Sequence, residues 1–578
     1  MEGRPAPPGP QAGGGLNGAA AICAALGELG ARTVFGLPGT QNAGLYDAMR
    51  RAGLRSVVAS DEGAAAFMAS GYARAAGTVG VLTTIPGPGF VYALAGVMEA
   101  RHDSVPLLWL TQRAVDDGQA YPLQRIDQPA MAREAVKASR VVDRAEDLAA
   151  TLYAAWHEAL DGEPGPVLVE VAAPLLLQDA GPPERRPASV PPRPDVGALH
   201  ARLSAARRPL IFAGQGAQGA AQSVRELARR WRAPVLFTSS GRGVLADADP
   251  LALVRDFSFG LGEALPALVA QSDLVLVLGC KFTHNGSAGG RLRLPAERLV
   301  RVDSSAAVLG ANYPASLALH ARVEDVLDAL AAQAPLGHTD WSDAELAGWQ
   351  SRFAAESAGP IEHEPLLAEC GGAPVRALFD ALRAVYGEDI IYTADAGLHQ
   401  ALTRRYARVM QPRGLLCPSD FQSMGFGLAG AIGAALSRPD AAVIACVGDG
   451  ALTLSLGELL TAVREGVDLS VIVFNDASFG LIRRQQLLNY GQSAGTDLLN
   501  PDYAALAQAV GCSYFRVGTD LAEGLSTAAS ARGVRLIEVR LGQTASLARA
   551  TVARRLRDGV RQAVPDSLWQ LLKRSAGR

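Results

Sequence analysis

Lysine is nearly missing from this 578-residue chain: Lys137, Lys281 and Lys573 are the whole set, and arginine carries the rest of the positive charge. An arginine at any one position therefore says little, whereas a lysine stands out. The net charge is only −3 and no segment forms a dense basic block, which argues against nucleic acid as a partner. No apolar run reaches the roughly 18 to 20 residues that cross a bilayer, so no membrane partner is expected. The cysteines, Cys23, Cys280, Cys370, Cys417, Cys446 and Cys512, show no CxxC spacing. They are expected to be reduced and mostly buried in a cytoplasmic protein, and not a disulfide framework or a zinc site. The opening MEGRPAPPGPQAGGG lacks the apolar core of a signal peptide and reads as a flexible tail over 1–15.

What the chain has in quantity is apolar substance. Hydrophobic residues make up 49% and charged residues 19%, the balance of a well-packed globular protein, and the length calls for about three domains. Over 16–178, apolar runs such as TVFGL (33–37), RSVVAS (55–60), VGVLTTI (79–85), VPLLWLT (105–111) and PVLVEVA (166–172) read as strands. Ala-rich stretches such as EGAAAFMASGYARAAG (62–77) between them read as helices. Strands that are apolar throughout and alternate with helices predict a parallel sheet covered on both faces. The Pro-rich stretch 179–195 reads as a linker, and a second such pattern fills 196–335, with PLIFAG (209–214) and DLVLVLG (273–279) among its strands. A polar stretch over 336–372 reads as a second linker. A third pattern fills 373–545, with DIIYTAD (389–395), AAVIACVGDG (441–450), LSVIVFND (469–476) and VRLIEVR (534–540), before a tail over 546–578 in which SLWQLLKR (567–574) predicts a short helix. The expected fold is α/β, with three consecutive doubly wound parallel-sheet domains.

The third domain holds the most specific pattern. Strand AAVIACV runs into Gly448-Asp449-Gly450, a helical stretch follows to Gly466, and strand LSVIVF runs into Asn475-Asp476. The two strands of such a unit lie parallel, so their carboxyl ends share the edge where open α/β sheets bind ligands. Asp449 and Asn475 are expected to face each other there. With the backbone carbonyl of Ala477, two phosphate oxygens and a water, they would complete an octahedral oxygen shell for Mg²⁺. Gly448 and Gly450 would let the backbone approach the phosphates. GDG alone would be a strand-to-helix turn with a capping Asp; Asn-Asp after the next strand gives it the functional reading.

GDGALTLSLGELLTAVREGVDLSVIVFNDASFG (448–480) resembles the motif of thiamine-diphosphate-dependent enzymes, and FQSMGFGLAGAIGAAL (421–436) resembles the stretch preceding it in acetolactate synthases. The resemblance implies a pyrimidine-binding, a central and a diphosphate-binding domain. It implies that Gly448, Gly450 and Ala451 meet the diphosphate, together with Gly397 and His399 of TADAGLHQ (393–400), and that Met424 is the apolar wedge that bends the cofactor. SDEGAAAFMASGYARAAG (60–77) matches the family's helix that opens with the activating glutamate, here Glu62; the usual preceding His is Asp61. That carboxyl is expected to serve the aminopyrimidine ring, while the cofactor supplies the electron sink. The loops VFGLPGTQN (34–42) and IPGPGF (85–90), with Pro38 and Gly87, resemble those lining the same half.

The substrate end is less uniform. Thr40 and Gln124 fall where relatives place a carboxylate-binding serine and an entrance glutamine, and either could equally be a loop hydrogen bonder. Lys281 stands where acetolactate synthases carry an arginine, although an ammonium is not a bidentate fork. His284 is a further candidate acid–base group with a structural alternative. Gln485 replaces the aromatic residue of the acceptor pocket and Leu123 the Phe before the entrance glutamine. FAD is left open, because GQGAQG (214–219) is a weak nucleotide signal. The resemblance implies decarboxylation of a small-molecule 2-oxo acid, with carboligation to a carbonyl acceptor, by a homodimer or homotetramer. The alternatives are a decarboxylase releasing an aldehyde, a catalytically idle regulatory paralogue, and a flavin-dependent oxidase.

Overall fold

A computed structural model describes residues 16–114, 118, 120–181, 193–254, 256–257, 260–358, 361 and 364–542. The tails expected over 1–15 and 546–578, the helix expected over 567–574 and the proline-rich 182–192 lie outside the described residues. The fold is α/β with three parallel-sheet domains. By internal contacts the chain divides into two compact units, residues 1–69 with 79–190 and residues 70–78 with 191–578.

The first unit holds strands β1 (Thr33–Gly36), β2 (Arg55–Val58), β3 (Gly80–Thr84), β4 (Leu107–Arg113), β5 (Ala138–Val142) and β6 (Pro166–Ala172). They pair in parallel in the order β2-β1-β3-β4-β6-β5. The central strands are buried along nearly their whole length, which is why they read as unbroken apolar runs. β5, at the edge, alternates exposed with half-buried positions and carries no such run. The helix Glu62–Ala76 follows β2. Its amino end is closed by Asp61, whose Oδ1 accepts the N–H of Ala64 at 2.9 Å.

The second sheet comprises β7 (Pro209–Ala213), β8 (Val235–Phe237), β9 (Ala252–Leu253), β10 (Leu274–Leu278), β11 (Leu299–Asp303) and β12 (Leu317–His320). All are parallel, in the order β12-β11-β10-β7-β8-β9. Side chains alternate between its two faces: Ile211, Ala213, Leu276 and Leu278 join one cluster, and Leu210, Phe212, Val275 and Val277 join the other. The second cluster also takes Trp341, Leu346, Trp349 and Phe353. The last three come from the helix Asp343–Ala358, so the stretch read from its polarity as linker contains an amphipathic helix that seals this sheet.

The third sheet comprises β13 (Leu366–Leu367), β14 (Ala373–Pro374), β15 (Ile391–Ala394), β16 (Leu415–Leu416), β17 (Val443–Gly448), β18 (Leu469–Asn475), β19 (Ser513–Arg516) and β20 (Val534–Gly542). The order is β14-β13-β20-β18-β17-β15-β16, with β19 also on β20. β13 is antiparallel to both its neighbours, which makes this sheet mixed at one edge. Strand order reverses between β15 and β17. Ligands of open α/β sheets bind outside the strand ends at such a switch point.

Candidate functional site

The loop leaving β15 begins with Asp395, which is fully buried. It accepts the N–H of Ala396 at 2.8 Å, of Gly425 at 3.0 and 3.1 Å and of Gly427 at 2.7 Å. Asp395 thereby ties this loop to the start of the helix Phe426–Ser437 and holds the half-buried Met424 just before it. Burial pushes its carboxyl up to about 6 even against these donors. Next comes His399, whose ring is wedged between two glycines. A Cβ on Gly397 would lie 2.6 Å from its Cε1, and one on Gly448 would lie 2.7 Å from its Nδ1. Burial lowers His399 to about 3, so the imidazole is neutral. Its Nε2 is buried without a partner among the described residues, a polar atom left for a ligand.

Across the switch point, β17 and β18 run side by side with Gly448 opposite Phe474. Asp449, only 2% exposed, accepts the N–H of Gly450 at 2.9 Å on Oδ1 and the Nδ2 of Asn500 at 2.9 Å on Oδ2. Asn500 Nδ2 also donates to Asn475 Oδ1 at 3.0 Å. The other end of the Asn475 amide donates to Glu538 Oε1 at 2.6 Å. Glu538 accepts Tyr514 Oη at 2.6 Å and Arg540 Nε at 3.1 Å as well. Burial raises the Asp449 carboxyl, and its hydrogen bonds from Asn500, Gly450, Ala477 and Ser478 work against that rise. Asp476 beside it is pushed up to about 6, by burial first and by the Asp449 charge second.

Ala477 stands at φ +50; its N–H meets Asn475 Oδ1 at 3.2 Å, and its carbonyl accepts Leu498 N–H at 2.9 Å with one lone pair to spare. Ala451 is buried in the short helix that Asp449 opens. That helix ends at Ser455, and a separate one runs Glu458–Glu465, so the single helical stretch expected here is two. A Cβ on Gly450 would lie 2.7 Å from the Phe479 ring. Gly448 and Gly450 thus make room for side chains of this chain as well as for any ligand.

Among the described residues no group of three or more His, Cys, Asp or Glu side chains is arranged to hold a metal. The cluster offers the Asp449 carboxyl with that of Asp476 beside it, and amide and peptide oxygens, a donor set that suits a hard cation such as Mg²⁺ and not zinc. The residues present fit thiamine diphosphate and a divalent cation on that chemistry, with the unpartnered His399 Nε2 and Asn500 Oδ1 as acceptors or donors still unused.

In the first unit, Glu62 is 6% exposed and a Cβ on Gly89 would lie 2.5 Å from its Oε1. Burial, with a smaller push from Asp61, raises its carboxyl above the usual range. Gly87 (φ +70) abuts Gln124 (φ +60), and Gln41 Nε2 donates to Gln124 Oε1 at 2.6 Å. Pro38 and Thr40 are exposed on a loop pinned by fully buried Asn42, which accepts Gly39 N–H at 2.7 Å and donates to the Leu37 carbonyl at 3.0 Å.

Lys281 is half-buried beyond β10 of the second sheet, and His284 and Gln485 are exposed. The GQGAQG loop after β7 lies directly on the loop after β10. Gly214 donates to the Leu278 carbonyl at 2.9 Å and Gly216 to the Gly279 carbonyl at 3.0 Å, and a Cβ on Gly219 would meet the Glu324 carboxylate at 2.1 Å. Glycines packed on backbone beside an acid give FAD no support in this loop.

Sequence reasoning missed Asp395, Asn500, Glu538 and Asn42. An acid inside the apolar strand VRLIEVR and the Asn-Pro-Asp run at 500–502 were the available signals.

Comparison with known proteins agrees with this geometry. Residues 16–131 match the family described as thiamine pyrophosphate enzyme, N-terminal TPP binding domain. Residues 196–330 match its central domain and 395–539 its C-terminal TPP binding domain. The chain is 32% identical over 541 residues to the probable 2-ketoarginine decarboxylase of Pseudomonas aeruginosa, covering 91% of this chain and 94% of that one. It is 29% identical over 492 residues to the acetolactate synthase isozyme 1 large subunit of Escherichia coli K12, covering 82% and 84%. It is 28% identical over 531 residues to the probable acetolactate synthase large subunit of Methanocaldococcus jannaschii, covering 87% and 88%.

Proposed function

The chain belongs to the thiamine pyrophosphate enzymes, and on that premise we propose that it removes CO₂ from a 2-oxo acid and joins the remaining acyl unit to a carbonyl acceptor. It is a thiamine-diphosphate-dependent enzyme of the transferase or carboxy-lyase class. Bound thiamine diphosphate supplies the electron sink for the loss of CO₂. Asp449, Asn475 and Ala477 would hold the Mg²⁺, His399 and the glycines Gly397, Gly448 and Gly450 would shape the diphosphate seat, and Met424 would support the rings. Glu62 keeps a proton for the pyrimidine. The observation that carries this reading is the Glu62 carboxyl, buried against Gly89 with its proton affinity raised, the condition a proton-holding acid needs. Thr40, Gln124, Lys281 and Gln485 are proposed for the substrate end. Exposed Leu454, Leu460, Phe479 and Ile482 support burial in a homodimer or homotetramer.

Release of the acyl unit as an aldehyde is the second reading, favoured by the relative named as a 2-ketoarginine decarboxylase and by polar, exposed Gln485 at the acceptor position. Glu62, Asp449 and Asn475, all present, argue against an idle regulatory paralogue. The oxidase reading requires flavin; a visible spectrum of the purified protein without a flavin band removes it.

The test is a screen for CO₂ release across 2-oxo acids, 2-ketoarginine included, with thiamine diphosphate and Mg²⁺ supplied and products identified by mass. A ligation product supports the first reading and an aldehyde the second. Glu62→Gln is expected to abolish release while cofactor and metal still bind. No CO₂ from any acid, or full activity in that variant, rejects the mechanism.

A further inference from the structure

A cavity of about 620 Å³ lies against the second sheet, where the chain leaving β10 meets the segment that leads into β12. That volume suits a small molecule. Phe282, Leu292 and Tyr313 give it an apolar wall, His284, Arg293 and Asn312 give it polar positions, and no carboxylate lines it among the described residues. Two of these wall residues hold left-handed backbone without being glycine, Phe282 at φ +52 and Asn312 at φ +58. For a side chain as bulky as phenylalanine that conformation is costly, and such outliers gather at ligand sites. The Phe282 ring is fixed between Tyr313 and Phe212, with centroids 4.6 and 5.2 Å away. Behind the wall stands Arg301 of β11, 1% exposed, its Cζ 5.5 Å from the Phe282 ring. Its Nη1 donates to the carbonyls of Ala311 and Tyr313, each at 3.0 Å, and its Nη2 to the Cys280 carbonyl at 3.2 Å. Carbonyls satisfy N–H groups but do not neutralise a buried charge. The carboxylate of Asp303 acts on Arg301 only from longer range, and accepts the Ser305 N–H at 2.9 Å.

We propose that this cavity is a second small-molecule site, which takes a compact organic carboxylate with its apolar body on Phe282 and Tyr313 and its charge toward Arg293 and His284. The inference is independent of the thiamine diphosphate reading. Its sign comes from the charges: Arg293 is exposed at the cavity, Arg301 is buried behind it, and no acid in the lining opposes them. Arg293 commits only Nη1, to the Gly290 and Leu292 carbonyls at 2.6 and 3.3 Å, and keeps its remaining N–H groups for a ligand. Carboxylate is favoured over phosphate by the backbone. The N–H groups of Gly289 and Gly290, the natural cradle for a phosphate, are taken by the His284 carbonyl at 2.7 Å and by Ser287 Oγ at 3.0 Å.

The experiment adds 4-fluorobenzoate to the full chain, with thiamine diphosphate and Mg²⁺ present, and reads binding by ¹⁹F line broadening. This probe has a carboxylate and an apolar body but no 2-oxo group, so it is not turned over. Wild type is expected to bind it and to ignore neutral 4-fluorobenzamide. Leu294→Trp, which fills the cavity from its half-buried wall, should abolish binding. Arg293→Ala should weaken it by about tenfold or more, the loss of one hydrogen bond to a charged group. No binding by wild type overturns the site, and equal binding of the benzamide overturns its preference for an anion. Binding unchanged in Arg293→Ala places the probe elsewhere on the protein and overturns the site as well. Phenyl phosphate displacing the probe at lower concentration than benzoate does would assign the cavity to phosphates and overturn the carboxylate. If Leu294→Trp does not fold, as judged by thermal melting, exposed Arg293→Ala carries the test alone.

Discussion

The second and third sheets each reverse strand order once, between β7 and β10 in one and between β15 and β17 in the other, and glycines stand at both reversals. After β7 and β10 they serve the backbone. A Cβ on Gly216 would sit 2.8 Å from Gly279 Cα, and one on Gly279 would sit 2.5 Å from Gly216 Cα. After β15 and β17 they serve a side chain, since Gly397 and Gly448 give up their Cβ positions to the His399 ring. One reversal has thus closed on itself, while the other has been spread by a neutral histidine that keeps an unpartnered nitrogen. The same loop chemistry yields a packing joint or a ligand seat according to what fills the space a Cβ would take.

Putting a Cβ at each place should separate the two uses. Gly448→Ala is expected to have the largest effect. Its backbone (φ −82) tolerates alanine, so the fold survives, but the methyl must displace His399 from beside Asp449. Thiamine diphosphate affinity should fall by about 100-fold, or about 2.8 kcal/mol, measured by calorimetric titration with Mg²⁺ present. Wild-type affinity in this variant would erase the distinction between the two reversals.

Gly216→Ala should do the opposite. Its methyl meets backbone, which cannot rotate away, so the cost falls on stability, at about 1–3 kcal/mol of overpacking. Thermal melting is expected to drop by several degrees while thiamine diphosphate affinity stays at the wild-type value. Lost cofactor affinity here would mean the second sheet takes part in the seat after all.

How far these outcomes could be foreseen depends on how local each feature is. β17 and β18 are neighbours in sequence and in the sheet, so the parallel-strand rule alone brought Asp449 and Asn475 to one edge. Asn500 and Glu538 reach the same cluster from 51 and 63 residues beyond their partners, and only the folded sheet, with β20 laid beside β18, makes them adjacent. Buried central strands announced themselves by unbroken apolar runs. Several strands at or near the edges did not: β5 and β12 mostly alternate half-buried and exposed positions, and β13 and β14 have two residues each. The helix Asp343–Ala358 had its apolar stripe at Leu346, Trp349 and Phe353, but the polar residues around it gave the stretch the composition of a linker. GQGAQG was readable as a glycine loop; which atoms those glycines admit was not.

The smallest effect is expected in the first unit, where a buried acid has neither a histidine-spreading glycine pair nor a cation set beside it. Asp395 of the third sheet is also raised by burial, yet three backbone N–H groups offset part of its desolvation. Glu62 has only its own backbone N–H working in that direction, and Asp61 pushes the other way. A carboxyl whose folded pKa lies above its unfolded value favours folding fully below the unfolded pKa, and that contribution is lost as pH rises through the folded one. Glutamine cannot ionise and escapes the loss. Cofactor-free Glu62→Gln should therefore melt with the wild type in acid, below the carboxylate range, and above it at neutral pH. The difference should open as pH climbs past the raised Glu62 value. Melting curves for both proteins across that span decide it: a constant offset would mean the substitution acts through packing, and a variant that melts below the wild type at neutral pH would mean Glu62 is stabilised as the anion and is not a keeper of protons.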